Sequence, residues 1–401
     1  MSQPQLRQGS QAAFQAVRAY FAATPLARGE IVPVEIAKEL AELGIADRDR
    51  ISQWNIAQRH GFLLVHDQEA PEEELLPSLI PDGRLDRVLV YKAGQGFTAL
   101  SASRCADFVV AVESSPRLRQ MLEFHLRLNG IDNVIVRPGV EDRARYSLIL
   151  IPNLEQESIE ATLKPVRGGE KSVMRTVNRA IPHLESGGTL LAAVTVSWRD
   201  SVKQDAQVRE WFPAAEGCSV SVFTVEEHST AEFAIAMLRS ANPLAGTLEE
   251  CYALLSEADS TGVADAVLLM HRPATGEGRV AVRTLSHPVD AGAMQRSMRR
   301  EQLEHSAFLA ARPRLGANWR LRESFQMREG EFVSGREALQ VDAPWKAEFP
   351  FPPWLKTMLP LVNGERTVAE IANILREGGV KEADALFGLS LLASYEVILV
   401  D

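Results

Sequence analysis

The chain has 401 residues, 46% of them hydrophobic, and a formal net charge of −10. That is apolar material for two or three domains, and the excess acid makes the surface as a whole a poor attractor of polyanions. No apolar run approaches the roughly 18 residues of a spanning helix and Met1–Ser10 is polar, so no membrane contact is expected and the expected location is cytoplasmic. Cys105, Cys218 and Cys251 lie far apart and the eight histidines form no His-x-x-x-His pair. This pattern argues against a disulfide framework and a zinc knuckle, and no metal is expected.

Residues 1–80 read as a helical domain. Ala12–Ala23 places Phe14, Val17, Tyr20 and Phe21 on one face, Val34–Leu43 carries Ile36 and Leu40, and Asp47–Arg59 is a third helical stretch before the strand-like Phe62-Leu63-Leu64-Val65. Such an order can fold as a winged helix, serving nucleic-acid binding or a homodimer contact through these helices. Seven Arg/Lys against eleven Asp/Glu in this stretch weigh against nucleic acid. Glu69–Glu74 reads as an exposed linker.

From Arg84 the rhythm changes to alternating strands and helices, which implies a mostly parallel sheet. The predicted strands are Val88–Val90, Phe108–Val112, Val134–Val136, Leu148–Ile151 and Leu190–Val196. Helices are predicted at Pro116–Leu128, Lys171–Leu184 and near Ser201–Trp211. Val220–Val225 and Phe233–Leu238 read as a closing antiparallel hairpin, giving an α/β, Rossmann-like domain with a seven-stranded sheet over 81–245. Residues 246–318 read as a helical linker that starts with the helix Leu248–Glu257.

Between Arg279 and Arg322 stand nine arginines, no lysine and only Asp290, Glu301 and Glu304, a local net charge of +6. It is either a solvated helix face or a footprint for an anionic partner. Residues 319–401 read as a winged helix: strands at Ser324–Met327, Glu331–Val333 and Ala338–Val341, then helices at Pro353–Leu361, Val368–Leu375 and Lys381–Leu392. Thr367 and Glu370 have the spacing of a capping box.

The chemistry-bearing residues gather after the first strand of the parallel domain. Ala93-Gly94-Gln95-Gly96 follows Val88-Leu89-Val90 and supplies a tight turn at the strand's carboxyl end, where backbone can approach a nucleotide-like ligand. Glu113 ends the second strand, where its carboxylate either accepts two ribose hydroxyls or caps the following helix.

On these residues, with Asn129-Gly130, Ile151-Pro152-Asn153-Leu154, Gly168-Gly169-Glu170-Lys171 and Gly187-Gly188, the chain resembles the class I S-adenosylmethionine-dependent methyltransferases. The resemblance implies S-adenosylmethionine as cofactor, held by Lys92, Ala93, Gly94, Gly96, Glu113 and Glu141, with Asn153 as the catalytic candidate. It departs from the family pattern at Val90 and Val140, where acids are usual, and at Lys92, where a glycine is. Lys92 could pair with the cofactor's carboxylate or fill the site.

The 319–401 segment, with Leu361-Val362-Asn363-Gly364-Glu365-Arg366-Thr367, resembles the PqqD-like winged helices, which implies capture of a peptide as an added strand. The acceptor stays open among peptide, RNA and small metabolite. A domain that has lost turnover and serves as a scaffold is the alternative to an enzyme. No Gly-x-Ser-x-Gly, His-Glu-x-x-His or Walker loop occurs.

Overall fold

The structure, a computed structural model, describes residues 30–31, 55–59, 62–66, 75–81, 83–152, 172–239, 246–257, 260–273, 278–286, 290–301, 303, 305–328 and 331–400. The chain forms two compact units, residues 1–161 with 165–193 and residues 162–164 with 194–401.

In the first unit, β1 (Glu30–Ile31), β2 (Asn55–Arg59) and β3 (Phe62–His66) make an antiparallel sheet. Residues 55–59 are thus strand where the sequence predicts the end of a helix. Hairpin pairing of Ile56 with Val65 and Ala57 with Leu64 overrides the local helical pattern. The helices expected at 12–23 and 34–43, the dimer contact assigned to them and the linker 69–74 lie outside the described residues.

The helix α1 (Leu75–Leu79) leads into a run of β4 (Leu85–Tyr91), α2 (Phe97–Ala102), β5 (Ala106–Val112), α3 (Pro116–Asn129), β6 (Val134–Arg137), β7 (Tyr146–Ile151), α4 (Ser172–Ala180) and β8 (Leu184–Trp198). These five strands are parallel, in the order β6-β5-β4-β7-β8. Their centres, Val88–Val90, Leu148–Ile151 and Leu190–Ala192, are all but inaccessible to solvent. This explains the unbroken apolar runs: a parallel strand covered on both faces has no polar alternation.

β8 begins at Leu184, ahead of the predicted Leu190, because its register against β7 jumps from Tyr146↔Leu184 to Leu148↔Thr189. Gly187, at φ 79, and Gly188 absorb the irregularity. α3 starts where its residues dictate. Ser115 accepts the Leu118 N–H, Pro116 opens the first turn, and Gly130 at φ 66 ends the helix.

The second unit continues through α5 (Gln204–Trp211), β9 (Ser219–Ser229), α6 (Thr230–Arg239), α7 (Leu248–Glu257), β10 (Gly262–His271), β11 (Val280–Leu285), α8 (Ala291–Glu301), α9 (His305–Ala310) and β12 (Arg314–Leu315). It ends with β13 (Trp319–Arg328), β14 (Glu331–Val341), β15 (Trp345–Pro350), α10 (Pro353–Met358), α11 (Val368–Glu377), α12 (Glu382–Ser394) and β16 (Ile398–Leu399).

The expected hairpin of Val220–Val225 with Phe233–Leu238 does not form. Phe233–Leu238 belongs to α6, and the antiparallel partner of β9 is β10, from a stretch that reads as linker in the sequence. The reason is a capping box at the proposed turn: Ser229 Oγ accepts the Glu232 N–H at 3.2 Å, and Glu232 accepts the Ser229 N–H at 2.9 Å. The 246–318 stretch also supplies β11, parallel to β9. Near the carboxyl end of the chain, two predicted strands merge into β14, and the third antiparallel strand is β15, which sequence reading missed. The three predicted helices after it appear as α10, α11 and α12.

The capping box of α11 forms as its spacing predicts: Thr367 N–H donates to Glu370 at 2.7 Å, and the Glu370 N–H donates to Thr367 Oγ1 at 3.2 Å. Hydrogen bonds from Thr367 hold the Glu370 carboxyl below the usual carboxylate range. A depressed folded-state pKa contributes stability above the unfolded carboxylate value of about 4.3, lost as pH falls through the lower, folded value. Chemical unfolding at successive pH values should therefore show a steeper acid decline in the wild type than in Glu370→Ala. Parallel curves would contradict this.

The basic run is largely committed within the second unit. Arg283 is buried and donates to Ser297 Oγ at 2.5 Å, and Arg300 donates to the Ser390 carbonyl and hydroxyl. Arg296 donates to both carboxylate oxygens of Glu396 at 2.9 Å, while Arg320 and Arg322 pair with Asp342 and Glu348. Arg296 and Arg300 join α8 to α12 and the residues after it, while Arg320 and Arg322 reach from β13 to the residue after β14 and to β15. No described helix is long and apolar enough to cross a membrane.

Candidate functional site

The site is built at the carboxyl ends of β4 and β5, where parallel α/β sheets place their ligands. After Tyr91 the backbone turns sharply: Lys92 takes φ 59, Gly94 φ 57 and Gly96 φ 100, and Gly96 becomes the N-cap of α2. Ala93, 2% exposed, anchors the turn by donating its N–H to the Val112 carbonyl at 2.9 Å. Lys92 is half-buried and holds a left-handed conformation unusual for a residue with a side chain.

Glu113 is 7% exposed, and its carboxylate joins the two strand ends. Oε2 accepts the Gly94 N–H at 2.9 Å and Oε1 accepts the Ser115 N–H at 2.8 Å. Charge-assisted bonds of this kind are about twice as strong as neutral ones. Arg119 fixes the backbone from the other side, donating to the carbonyls of Glu113 and Ser114 at 2.8 and 2.6 Å. A carboxylate offers about four lone-pair sites. Two are used here, so acceptor capacity remains for a bound hydroxyl pair.

The remaining sequence candidates fall into place unequally. Val90 is fully buried in the strand, while Val140 is half-buried. Glu141 lies beyond the carboxyl end of β6, exposed and ion-paired with Arg137. Asn153 lies outside the described residues, as does the stretch 168–171. The structure thus gathers Lys92, Ala93, Gly94, Gly96 and Glu113 around one turn.

The turn's glycines serve the fold as well as any ligand. A Cβ on Gly96 would stand 2.1 Å from Leu122 Cδ1, so its missing side chain lets α3 pack against the turn. Two residues that sequence reading gave no role also belong here. Ser115 caps α3 and meets Glu113, and His125 reaches the Gln95 carbonyl with Nδ1 at 2.8 Å. A polar residue within the stripe of Met121, Leu122, Leu126 and Leu128 was the available signal for His125.

A cleft of about 600 Å³ lies at the opposite, amino ends of β4 and β5, lined by Ile80, Arg84, Ser101, Arg104 and Asn133 among others. It does not include the glycine turn. Burial pushes the Cys105 and Cys251 thiols up, which suits packing rather than nucleophilic chemistry.

No family model and no curated protein matches the chain. Among solved structures it is similar to WT Trm5b from Pyrococcus abyssi, at 14% identity and a TM-score of 0.35, with 55% of this chain and 56% of that one covered. The chain therefore spans little more than half of that protein's length. It is also similar to M. jannaschii TYW2 in complex with AdoMet, at 15% identity and a TM-score of 0.36, covering 55% and 87%. A third is a SAM-dependent methyltransferase from Thiobacillus denitrificans in complex with S-adenosyl-L-homocysteine, at 16% and 0.28, covering 50% and 91%.

Proposed function

We propose that the first unit binds S-adenosylmethionine at the turn 92–96 and that the protein is a methyltransferase. One observation carries this reading: a buried carboxylate at the end of β5 is hydrogen-bonded to the Gly94 amide of the turn that ends β4, in a parallel sheet of order β6-β5-β4-β7-β8. The donor set suits the group. Glu113 would accept ribose hydroxyls with its unused lone pairs, Gly94 and Gly96 would let backbone lie against the adenosyl moiety, and Lys92 would meet the amino-acid carboxylate. When bound, the sulfonium supplies an already activated methyl group, so the chain's own task is to align an acceptor with it.

The acceptor is proposed only by class: a peptide, an RNA or a small metabolite. In the second unit β13 is an edge strand among the described residues, with β14 on one side, the kind of edge to which an extended peptide adds. The PqqD-like resemblance of residues 319–401 makes a peptide acceptor worth testing first.

A second reading, a domain that has lost turnover and acts as a scaffold, is favoured by the engagement of both Glu113 oxygens within the fold and by Lys92 in the place of a glycine. Calorimetric titration of the full chain separates the two readings. The methyltransferase reading expects saturable heats with both S-adenosylmethionine and S-adenosylhomocysteine; absence of heat with either ligand leaves the scaffold.

A further inference from the structure

His125 is fully buried in the face of α3 turned to the glycine turn, and Nδ1 lies 2.8 Å from the Gln95 carbonyl. A carbonyl can only accept, so Nδ1 carries the proton. Gln95 sits between the glycines, in a turn whose Ala93, Gly94 and Gly96 amides are engaged. Gly94 N–H donates to Glu113 and Gly96 N–H to the Ala93 carbonyl, both at 2.9 Å.

One helical turn on, Asn129 accepts the Leu63 N–H with Oδ1, and its Nδ2 donates to the carbonyls of Leu63 and His125, all at 2.8 Å. A hydrogen-bonded chain therefore runs from β3 through α3 to the turn. Neither side chain is needed to make α3 helical, and at 125 the buried stripe carries a polar ring whose Nδ1 serves the turn.

We infer that His125 is a positioning residue for the turn 92–96, and that Asn129 ties the order of that turn to the hairpin of β2 and β3. The inference deepens the cofactor reading and takes its functional consequence from it: displacing the hairpin would weaken the cofactor turn, and occupancy of the turn would hold the hairpin in place.

Amide hydrogen exchange of the ligand-free full chain, read over residues 62–66 and 92–98, tests the coupling. His125→Leu should raise exchange in 92–98 roughly 5- to 10-fold. His125→Asn, whose side-chain amide can stand where Nδ1–H stood, should restore it. Asn129→Ala should raise exchange in both segments. Unchanged exchange over 92–98 in His125→Leu, no rescue by His125→Asn, or a change confined to 62–66 in Asn129→Ala would each overturn the inference. Because no cofactor is present, the expected pattern in a chain that shows no heat with S-adenosylmethionine would remove the cofactor reading and still support the positioning.

Discussion

Glu113→Ala is expected to weaken S-adenosylhomocysteine binding by about 5- to 150-fold, equivalent to ~1–3 kcal/mol for removal of a charged acceptor. The same substitution strips the acceptor from two amides, those of Gly94 and Ser115, in a place where the side chain is 7% exposed. An amide left without a partner in such surroundings costs about 1–3 kcal/mol unless water replaces the carboxylate. A stability loss of about 2 kcal/mol in denaturant unfolding should therefore accompany the affinity loss. Glu113→Gln keeps one acceptor oxygen and should fall between the two. Wild-type affinity in a folded Glu113→Ala protein would remove this carboxylate from the ligand site.

Gly96→Ala should destabilise the first unit by about 2–6 kcal/mol, because two penalties coincide there. A φ of 100° suits glycine and strains any residue with a Cβ, by roughly 1–3 kcal/mol. The new methyl group would also meet Leu122 at 2.1 Å, an overpacking that costs about 1–3 kcal/mol more. Gly83 separates the contributions. Its φ is 122° and nothing lies within 4 Å of a Cβ there, so Gly83→Ala carries the strain alone and should cost less. On a Leu122→Ala background, which loses buried apolar contact of its own, Gly96→Ala should cost less than in the wild type by part of the packing penalty and none of the strain. Denaturant unfolding of wild type, Gly83→Ala, Gly96→Ala, Leu122→Ala and the double variant measures both parts. Equal losses for Gly83→Ala and Gly96→Ala would mean that the contact with Leu122 has relaxed away.

The parallel sheet was legible because its strands obey a local rule. Buried on both faces, they appear as apolar runs such as Leu148–Ile151, and turn residues bound them. α3 was equally plain over Pro116–Leu128, with Asn129-Gly130 at its end, although its Ser115 cap went unread. The antiparallel part was harder to read. A strand's partner is set by tertiary pairing, so β10 and β15 carried no local mark that assigned them to β9 and β14.

Phe233–Leu238 shows a different failure. Its apolar residues suit a strand or a helix, and the deciding signal, Ser229 three residues before Glu232, lies outside the apolar run. At the site, sequence identified the glycine turn and Glu113 but not how they meet. The bond from the Gly94 amide to Glu113 and the reach of His125 to Gln95 depend on distances between β4, β5 and α3, which no spacing along the chain encodes. The arginines of 279–322 make the same point: as sequence they read as a solvated helix face or a footprint for an anionic partner, and in space Arg296 and Arg300 meet Glu396 and Ser390 of the same chain.

The central claim, that an adenosyl ligand occupies the turn at the carboxyl ends of β4 and β5, is tested most directly by amide chemical shifts during titration of the isotope-labelled chain with S-adenosylhomocysteine. The account predicts the largest changes at Gly94, Gly96 and Ser115, whose amides line the turn and the Glu113 carboxylate. Changes absent from these three, or centred on Arg84, Ser101 and Asn133 around the cleft at the amino ends of the strands, would contradict it.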